Sequence, residues 1–200
     1  YESHMKAIKA IDAEFFKEEI VPIEIKVGKN KKIFDTDEHP RRDTSIEKLS
    51  KLPPVFKEGG SITAGNACGI NDGAAALLLT DLETAEKLEL KPMAKILGWA
   101  GAALDPAYMG LAPVIAIRKV LDKVGLSLDE IDLIEINEAF AAQILAVIKE
   151  LEINTSKLNV NGSGIALGHP IGCTGARITT TLLYEMKRRN AKYGLSLIHI

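Results

Sequence analysis

Asn161-Gly162-Ser163-Gly164-Ile165-Ala166-Leu167-Gly168-His169-Pro170-Ile171-Gly172-Cys173-Thr174-Gly175-Ala176-Arg177 carries five glycines in the fourteen positions from 162 to 175. Glycine density of this kind lets a backbone turn tightly and approach a ligand or a neighbouring segment closely. His169 sits inside the run, held by backbone geometry, and Pro170 stiffens the exit. An imidazole held this way can activate a thiol or hydroxyl, or donate to a developing oxyanion. It can equally fill a hydrogen-bond slot in a purely structural loop. The spacing Gly162-x-Gly164-x-x-x-Gly168 mimics a dinucleotide fingerprint, which would place phosphates at a helix N-terminus. That fingerprint needs a helix running through its third glycine. Pro170 and Gly172 forbid one, and no acidic ribose partner ends a following strand.

Working outward, Leu158–Asn161 leads into the loop, and a helix over Arg177–Arg189 follows it. Upstream, Ile131–Ile136 reads as a short apolar strand and Asn137–Leu151 as a helix. Phe140, Ile144, Val147, Ile148 and Leu151 form the apolar stripe of that helix. Asn137 falls at the strand-to-helix switch, where asparagine is a good N-cap. The carboxyl ends of strands are also where sites form in α/β proteins, and a carboxamide there can hold a water or a carbonyl oxygen. Earlier still, Pro113–Val124 reads as a helix closed by Gly125, Leu82–Leu88 as a helix, and Ala94–Gly101 and Ala75–Thr80 as strands, the latter buried. Small residues dominate Ser61–Ala76. Ile46–Leu52 is a short helix stopped by Pro53-Pro54, Lys29–Ser45 a polar excursion, Val21–Val27 a strand, and residues 1–19 an amphipathic helix. This alternation of strands and helices predicts an α/β layered architecture.

Composition narrows the function classes. Lys plus Arg is 25 and Asp plus Glu 27, so the net charge of −2 gives no basic excess for nucleic acid or an acidic membrane. The local basic runs, Lys29–Lys32, Arg41-Arg42 and Lys187–Arg189, read as solvated surface. Cys68 and Cys173 have no Cys-x-x-Cys spacing, which argues against a disulfide scaffold or a metal site and fits a reducing cytoplasm. No signal peptide is apparent, and no apolar run is long enough to span a bilayer. His4, His39 and His199 belong to no comparable loop and read as structural or incidental.

Several motifs then fall in order. Asn137-Glu138-Ala139-Phe140, Gly168-His169-Pro170-Ile171-Gly172 and Thr174-Gly175-Ala176-Arg177 resemble the thiolase family. So do Thr63-Ala64-Gly65-Asn66-Ala67, Asn71-Asp72-Gly73-Ala74-Ala75, His39-Pro40-Arg41 and Met109-Gly110. The match runs from about residue 1 to 194. The resemblance implies a thiolase-like αβαβα layered fold, here incomplete. Residues 1–70 would be the end of its CoA-binding loop domain, 71–91 the last part of the N-terminal half, and 92–200 a truncated C-terminal half.

The resemblance also implies chemistry. Thiolases make or cleave a carbon–carbon bond between acyl-CoA units, using coenzyme A as substrate or product and no further cofactor or metal. His169 would activate a nucleophilic cysteine, and Asn137 would position a water that helps His169 stabilise the thioester enolate. Arg41 would meet the nucleotide end of CoA, while Phe56, Ala64, Cys68, Gly69, Met109, Ala139 and Phe140 would line the pantetheine tunnel. Cys68 stands where the family usually has serine, a stronger hydrogen-bond partner. Cys173 varies among relatives and reads as packing. The parent activity is expected to be acetyl-CoA C-acetyltransferase, with a degradative 3-ketoacyl-CoA thiolase or a non-catalytic thiolase-like binding protein as alternatives. A cytoplasmic homodimer or homotetramer acting on acyl-CoA, without nucleic acid or membrane, is the expected setting.

The nucleophilic cysteine and a later Cys-x-Gly-Gly-Gly cysteine do not occur here, so the chain reads as an inactive, poorly folding fragment. Residues 195–200 read as non-native, since one back-translation of them resembles a sequencing adaptor.

Overall fold

The computed structural model describes residues 1–198; the expectations for His199 and Ile200 lie outside the described residues. The chain runs through α1 (Glu2–Asp12), β1 (Ile23–Val27), β2 (Asn30–Phe34), α2 (Ile46–Ser50), α3 (Leu82–Lys87) and α4 (Ala112–Val124). It continues with β3 (Leu133–Ile136), α5 (Ala141–Leu151), the single turn α6 (Gly164–Leu167), α7 (Thr174–Arg189) and β4 (Gly194–Leu197). A 3-10 helix over Pro106–Leu111 feeds α4. Gly125 ends α4 in the left-handed region at φ 69°, the conformation glycine adopts without steric penalty.

The main core lies on one side of β3. Ile134 and Ile136 point the same way by the two-residue period of a strand. They pack with Val114, Ile117 and Leu121 of α4, Ile144 and Val147 of α5, and Leu158. Ile117 is fully buried, and truncating such a side chain to alanine costs about 2–5 kcal/mol. The alternate residues Glu135 and Asn137 occupy the opposite side, where α7 packs. β4 pairs with β3 in parallel, Leu133 opposite Gly194 through Ile136 opposite Leu197. Leu158 adds an isolated parallel bridge to Ile134.

α7 is tied to what surrounds it by charge. The buried Glu185 carboxylate accepts from Asn161 Nδ2 at 2.9 Å and also from Arg188 and Arg189. Arg188 lies over the Phe15 ring at 4.2 Å and donates to the Phe15 carbonyl, joining α7 to the turn after α1.

Several sequence expectations need correction. The first helix stops at Asp12 rather than 19, because the backbone turns left-handed at Glu14, φ 57°. The polar excursion contains a strand: β2 pairs antiparallel with β1 across a two-residue turn at Gly28, φ 63°. Ala75–Thr80 and Ala94–Gly101 form no strand, and Leu78, Leu79, Ile96 and Trp99 are exposed. Both runs are apolar enough for a strand, but neither has a pairing partner among the described residues. Asn137 is not the N-cap of α5. Phe140 takes that position, in an extended conformation.

Candidate functional site

The glycine loop is fastened first to α1. Gly162 adopts φ +79°, and a Cβ there would lie 2.7 Å from the Ser3 carbonyl oxygen and 2.9 Å from the Ala7 Cβ. Ser3 Oγ donates to Glu138 Oε2 at 2.6 Å and accepts the Ser163 N–H at 3.2 Å. Asn159 pairs with Ile136 as a strand would, accepting its N–H and donating to its carbonyl at 2.9 Å each, and also donates to Glu138 Oε1 at 3.3 Å. Ser3, Glu138, Asn159 and Ser163 are all buried. Their mutual bonds meet the requirement that buried polar groups be partnered.

His169 lies between α6 and α7. Its backbone N–H donates to the Gly69 carbonyl at 3.3 Å. The ring Nδ1 is 2.7 Å from Thr174 Oγ1, and that hydroxyl donates its one proton to the Pro170 carbonyl at 2.9 Å. With the hydroxyl's proton on the Pro170 carbonyl, Thr174 accepts from His169 Nδ1–H, the arrangement in which Nε2 is the ring's proton acceptor. Burial lowers the His169 pKa below its ordinary 6.5, and the nearby Arg177 charge lowers it further. The ring is thus neutral near pH 7 and suited to take a proton.

Asn137 is fully buried at the end of β3, its backbone N–H bonded to the Leu197 carbonyl at 3.0 Å. Neither Oδ1 nor Nδ2 of its carboxamide has a partner among the described residues. A Cβ on Gly164 would come within 2.5 Å of Oδ1, so glycine there leaves the carboxamide its room. The N–H of Gly168, next to His169, bonds back to the Gly164 carbonyl at 3.0 Å.

The stretch 66–68 runs antiparallel to 139–141. Cys68 N–H donates to the Ala139 carbonyl at 2.9 Å and Ala141 N–H to the Asn66 carbonyl at 2.8 Å. This pairing holds Phe140 extended, edge-on to Phe56 at 6.1 Å. A cavity of about 450 Å³ opens beside it, bordered by Arg41, Ala64, Cys68 and Gly69 together with His4 and His39. A second hollow of about 600 Å³ adjoins it at His39 and Arg41. Of the tunnel residues expected from sequence, Phe56, Ala64, Cys68, Gly69, Ala139 and Phe140 are thus joined by direct contact or by this cavity. Met109 stands on the 3-10 helix packed against α5, half exposed.

Beneath the site, burial pushes Glu135 up to about 8, against the opposing pull of Arg177. Both Nη atoms of Arg177 are buried without a partner among the described residues. Burial likewise raises the Cys68 and Cys173 thiols above their ordinary values, the opposite of what a nucleophilic thiol requires. No group of three or more His, Cys, Asp or Glu among the described residues is placed to hold a metal. No described helix is long and apolar enough to cross a membrane.

Thr174 has a role beyond its place in the motif at residues 174–177: a hydroxyl five residues past a loop histidine at a helix start is a readable signal. Ser3 and Asn159 carry no such signal in the sequence, and Glu138 stands there only as part of a motif. No local pattern announces their contacts.

Residues 90–200 match the family described as thiolase, C-terminal domain, and residues 1–83 match thiolase, N-terminal domain. The chain belongs to the thiolase family. It is 54% identical, over its whole length, to an acetyl-CoA acetyltransferase of Syntrophomonas wolfei, covering 51% of that protein. It is 49% identical to the human mitochondrial 3-ketoacyl-CoA thiolase over 93% of its length and 47% of the relative's. Among solved structures, the Bacillus anthracis acetyl-CoA acetyltransferase superposes with a TM-score of 0.96 at 53% identity, over 99% of this chain and 50% of that one. The human mitochondrial 3-ketoacyl-CoA thiolase in complex with CoA gives 0.92 at 44% identity, over 100% and 49%. The fold is therefore the α/β thiolase fold, and the chain spans about half the length of the thiolases it matches.

Proposed function

We propose that this chain supplies the histidine and asparagine of an acyl-CoA thiolase, with acetyl-CoA C-acetyltransferase as the parent activity: two acetyl-CoA to acetoacetyl-CoA and CoA, or the reverse. The observation that carries the reading is the Asn137 carboxamide, fully buried with both polar atoms unpartnered among the described residues. An orphaned amide costs about 1–3 kcal/mol, a cost offset once it holds a water or substrate oxygen.

In this reading His169 Nε2 takes the proton of a cysteine thiol; the thiolate attacks the thioester carbonyl, the C–S bond to CoA breaks as the acyl group passes to the cysteine, and CoA leaves as its thiol with the proton that His169 held. While Nε2 holds a proton, His169 and a water on Asn137 donate to the oxyanion or enolate oxygen. The acyl-accepting cysteine is assigned to neither Cys68 nor Cys173, whose thiols burial raises above their ordinary values. Arg41 takes the nucleotide end of CoA, where a guanidinium suits phosphate or a stacked base. Phe56, Ala64, Cys68, Gly69, Met109, Ala139 and Phe140 line the pantetheine path. No separate cofactor or metal is needed. Residues 1–70 close the CoA-binding loop domain, 71–91 the N-terminal half, and the segment from 92 belongs to the C-terminal half. The enzyme works in the cytoplasm as a homodimer or homotetramer.

A 3-ketoacyl-CoA thiolase for longer chains is the second reading, favoured by the identity to the human mitochondrial enzyme. Thiolysis of a chain-length series of 3-ketoacyl-CoA substrates by the intact enzyme decides. The C4 substrate should give the highest kcat/KM. A maximum at long chains selects the second reading, and no turnover on any substrate overturns both.

A further inference from the structure

From the sequence His39 belongs to no chemical loop, yet in the structure it stands against the one that bears His169. Its Nδ1–H donates to the Ala166 carbonyl at 2.8 Å, three residues before His169. That bond makes Nδ1 the ring's donor to the loop. Nε2 lies against Gly69, where a Cβ would be 2.5 Å from Nε2 and 2.6 Å from Asn71 Oδ1. Gly69 is the residue whose carbonyl accepts the His169 backbone N–H. Asn71 Oδ1 also crowds Gly168 and is itself buried without a partner among the described residues. One imidazole therefore meets both segments that fix His169: the turn before it and the strand-like segment that holds its amide. The ring stacks on His4 with centroids 6.3 Å apart and an interplanar angle of 19°, and His4 Nδ1 accepts the Arg41 N–H at 3.2 Å. Burial lowers His4 to about 4, so it remains a neutral acceptor near pH 7.

We propose that His39 is a positioning residue for the thiolase reaction, a rigid spacer that sets the distance between the CoA-side wall at Gly69 and the turn carrying His169. The proposal rests on the thiolase reading above. It also places His39 where the two hollows meet, so the CoA-binding segment 39–41 and the histidine loop share one joint. A reacting group misplaced by about 1 Å loses rate on the order of a hundredfold, which is why a stiff ring suits this position better than a flexible chain.

The test compares His39→Asn, His39→Gln and His39→Leu in the intact enzyme by steady-state acetoacetyl-CoA thiolysis, with thermal melts alongside. Asparagine places an amide N–H near the Nδ1 position and keeps the bond to Ala166; glutamine carries its amide farther, towards Nε2. The asparagine variant should keep about half or more of kcat. The glutamine and leucine variants should lose about tenfold or more in kcat. If leucine does not fold, the asparagine–glutamine order still decides. A glutamine variant as active as native, or an asparagine variant that falls as far as glutamine, overturns the proposal while leaving the thiolase reading intact. A native enzyme without thiolysis overturns both.

Discussion

Thr174→Val removes one oxygen and leaves the branched shape, which isolates what the hydroxyl does. The Pro170 carbonyl loses its hydroxyl donor but retains the backbone N–H groups of Cys173 at 2.8 Å and Thr174 at 2.9 Å, so it stays satisfied. His169 Nδ1–H loses its acceptor at 2.7 Å. A buried donor that loses its acceptor costs about 1–3 kcal/mol, and that cost is also what held the Nδ1–H tautomer in place. If the preference for that tautomer weakens by about 1–2 kcal/mol, the ratio of Nδ1–H to Nε2–H tautomer falls by about five- to thirtyfold, since about 1.4 kcal/mol is a factor of ten. In the intact enzyme the expected result is a urea-unfolding midpoint lowered by an amount equivalent to about 1–2 kcal/mol, with kcat for acetoacetyl-CoA thiolysis down about fivefold or more. Thr174→Ser, which restores an oxygen, should recover most of both. A valine variant that keeps kcat within about twofold of native would refute the tautomer argument.

Asn137→Ala should leave stability unchanged or raised, because the carboxamide has no protein partner among the described residues, yet lower kcat by about a hundredfold; paired melts and turnover measure both, and a stability loss with activity kept would contradict the assignment. Glu135 holds its proton in the folded protein up to about 8, against 4.5 for an ordinary carboxyl, so native stability declines as pH rises through that window. Glu135→Gln should therefore melt above native near pH 8 and alongside it near pH 4.5, and an offset independent of pH would rule the linkage out. Gly162→Ala puts a Cβ 2.7 Å from the Ser3 carbonyl oxygen at φ +79° and should cost about 2 kcal/mol or more; an unchanged unfolding midpoint would show that α1 gives way instead.

What was legible in the sequence was local. α4, α5, α7 and β3 each carry their own periodicity or apolar run, and the density of glycine around His169 marked the loop before any partner was known. What could not be read depends on residues distant in the chain. Asn137 looked like an N-cap because asparagine commonly takes that place. Residues 137–140 stay outside the helix instead, because Asn66–Cys68 pairs with Ala139–Ala141, and no window around Asn137 contains that information. Ala75–Thr80 and Ala94–Gly101 have strand composition, but a strand exists only with a neighbour to receive its hydrogen bonds, and none is present among the described residues. His39 was missed for the same reason: its partners are Ala166 and Gly69, 127 residues away in the first case.

The bonds of Ser3 to Glu138 and Ser163 span 135 and 160 residues. Contacts of such separation form late, since the loop they close must lose its freedom before any of them is rewarded. Apart from Leu195 of β4, the buried side chains of the α4–β3–α5 core fall within residues 114–158, so it closes far shorter loops and can begin to assemble first. During refolding, burial of the α4–β3–α5 core should therefore precede ordering of the His169 loop. A refolding population stalled between the two would contain ordered helix and apolar core while lacking every element that makes the loop a site.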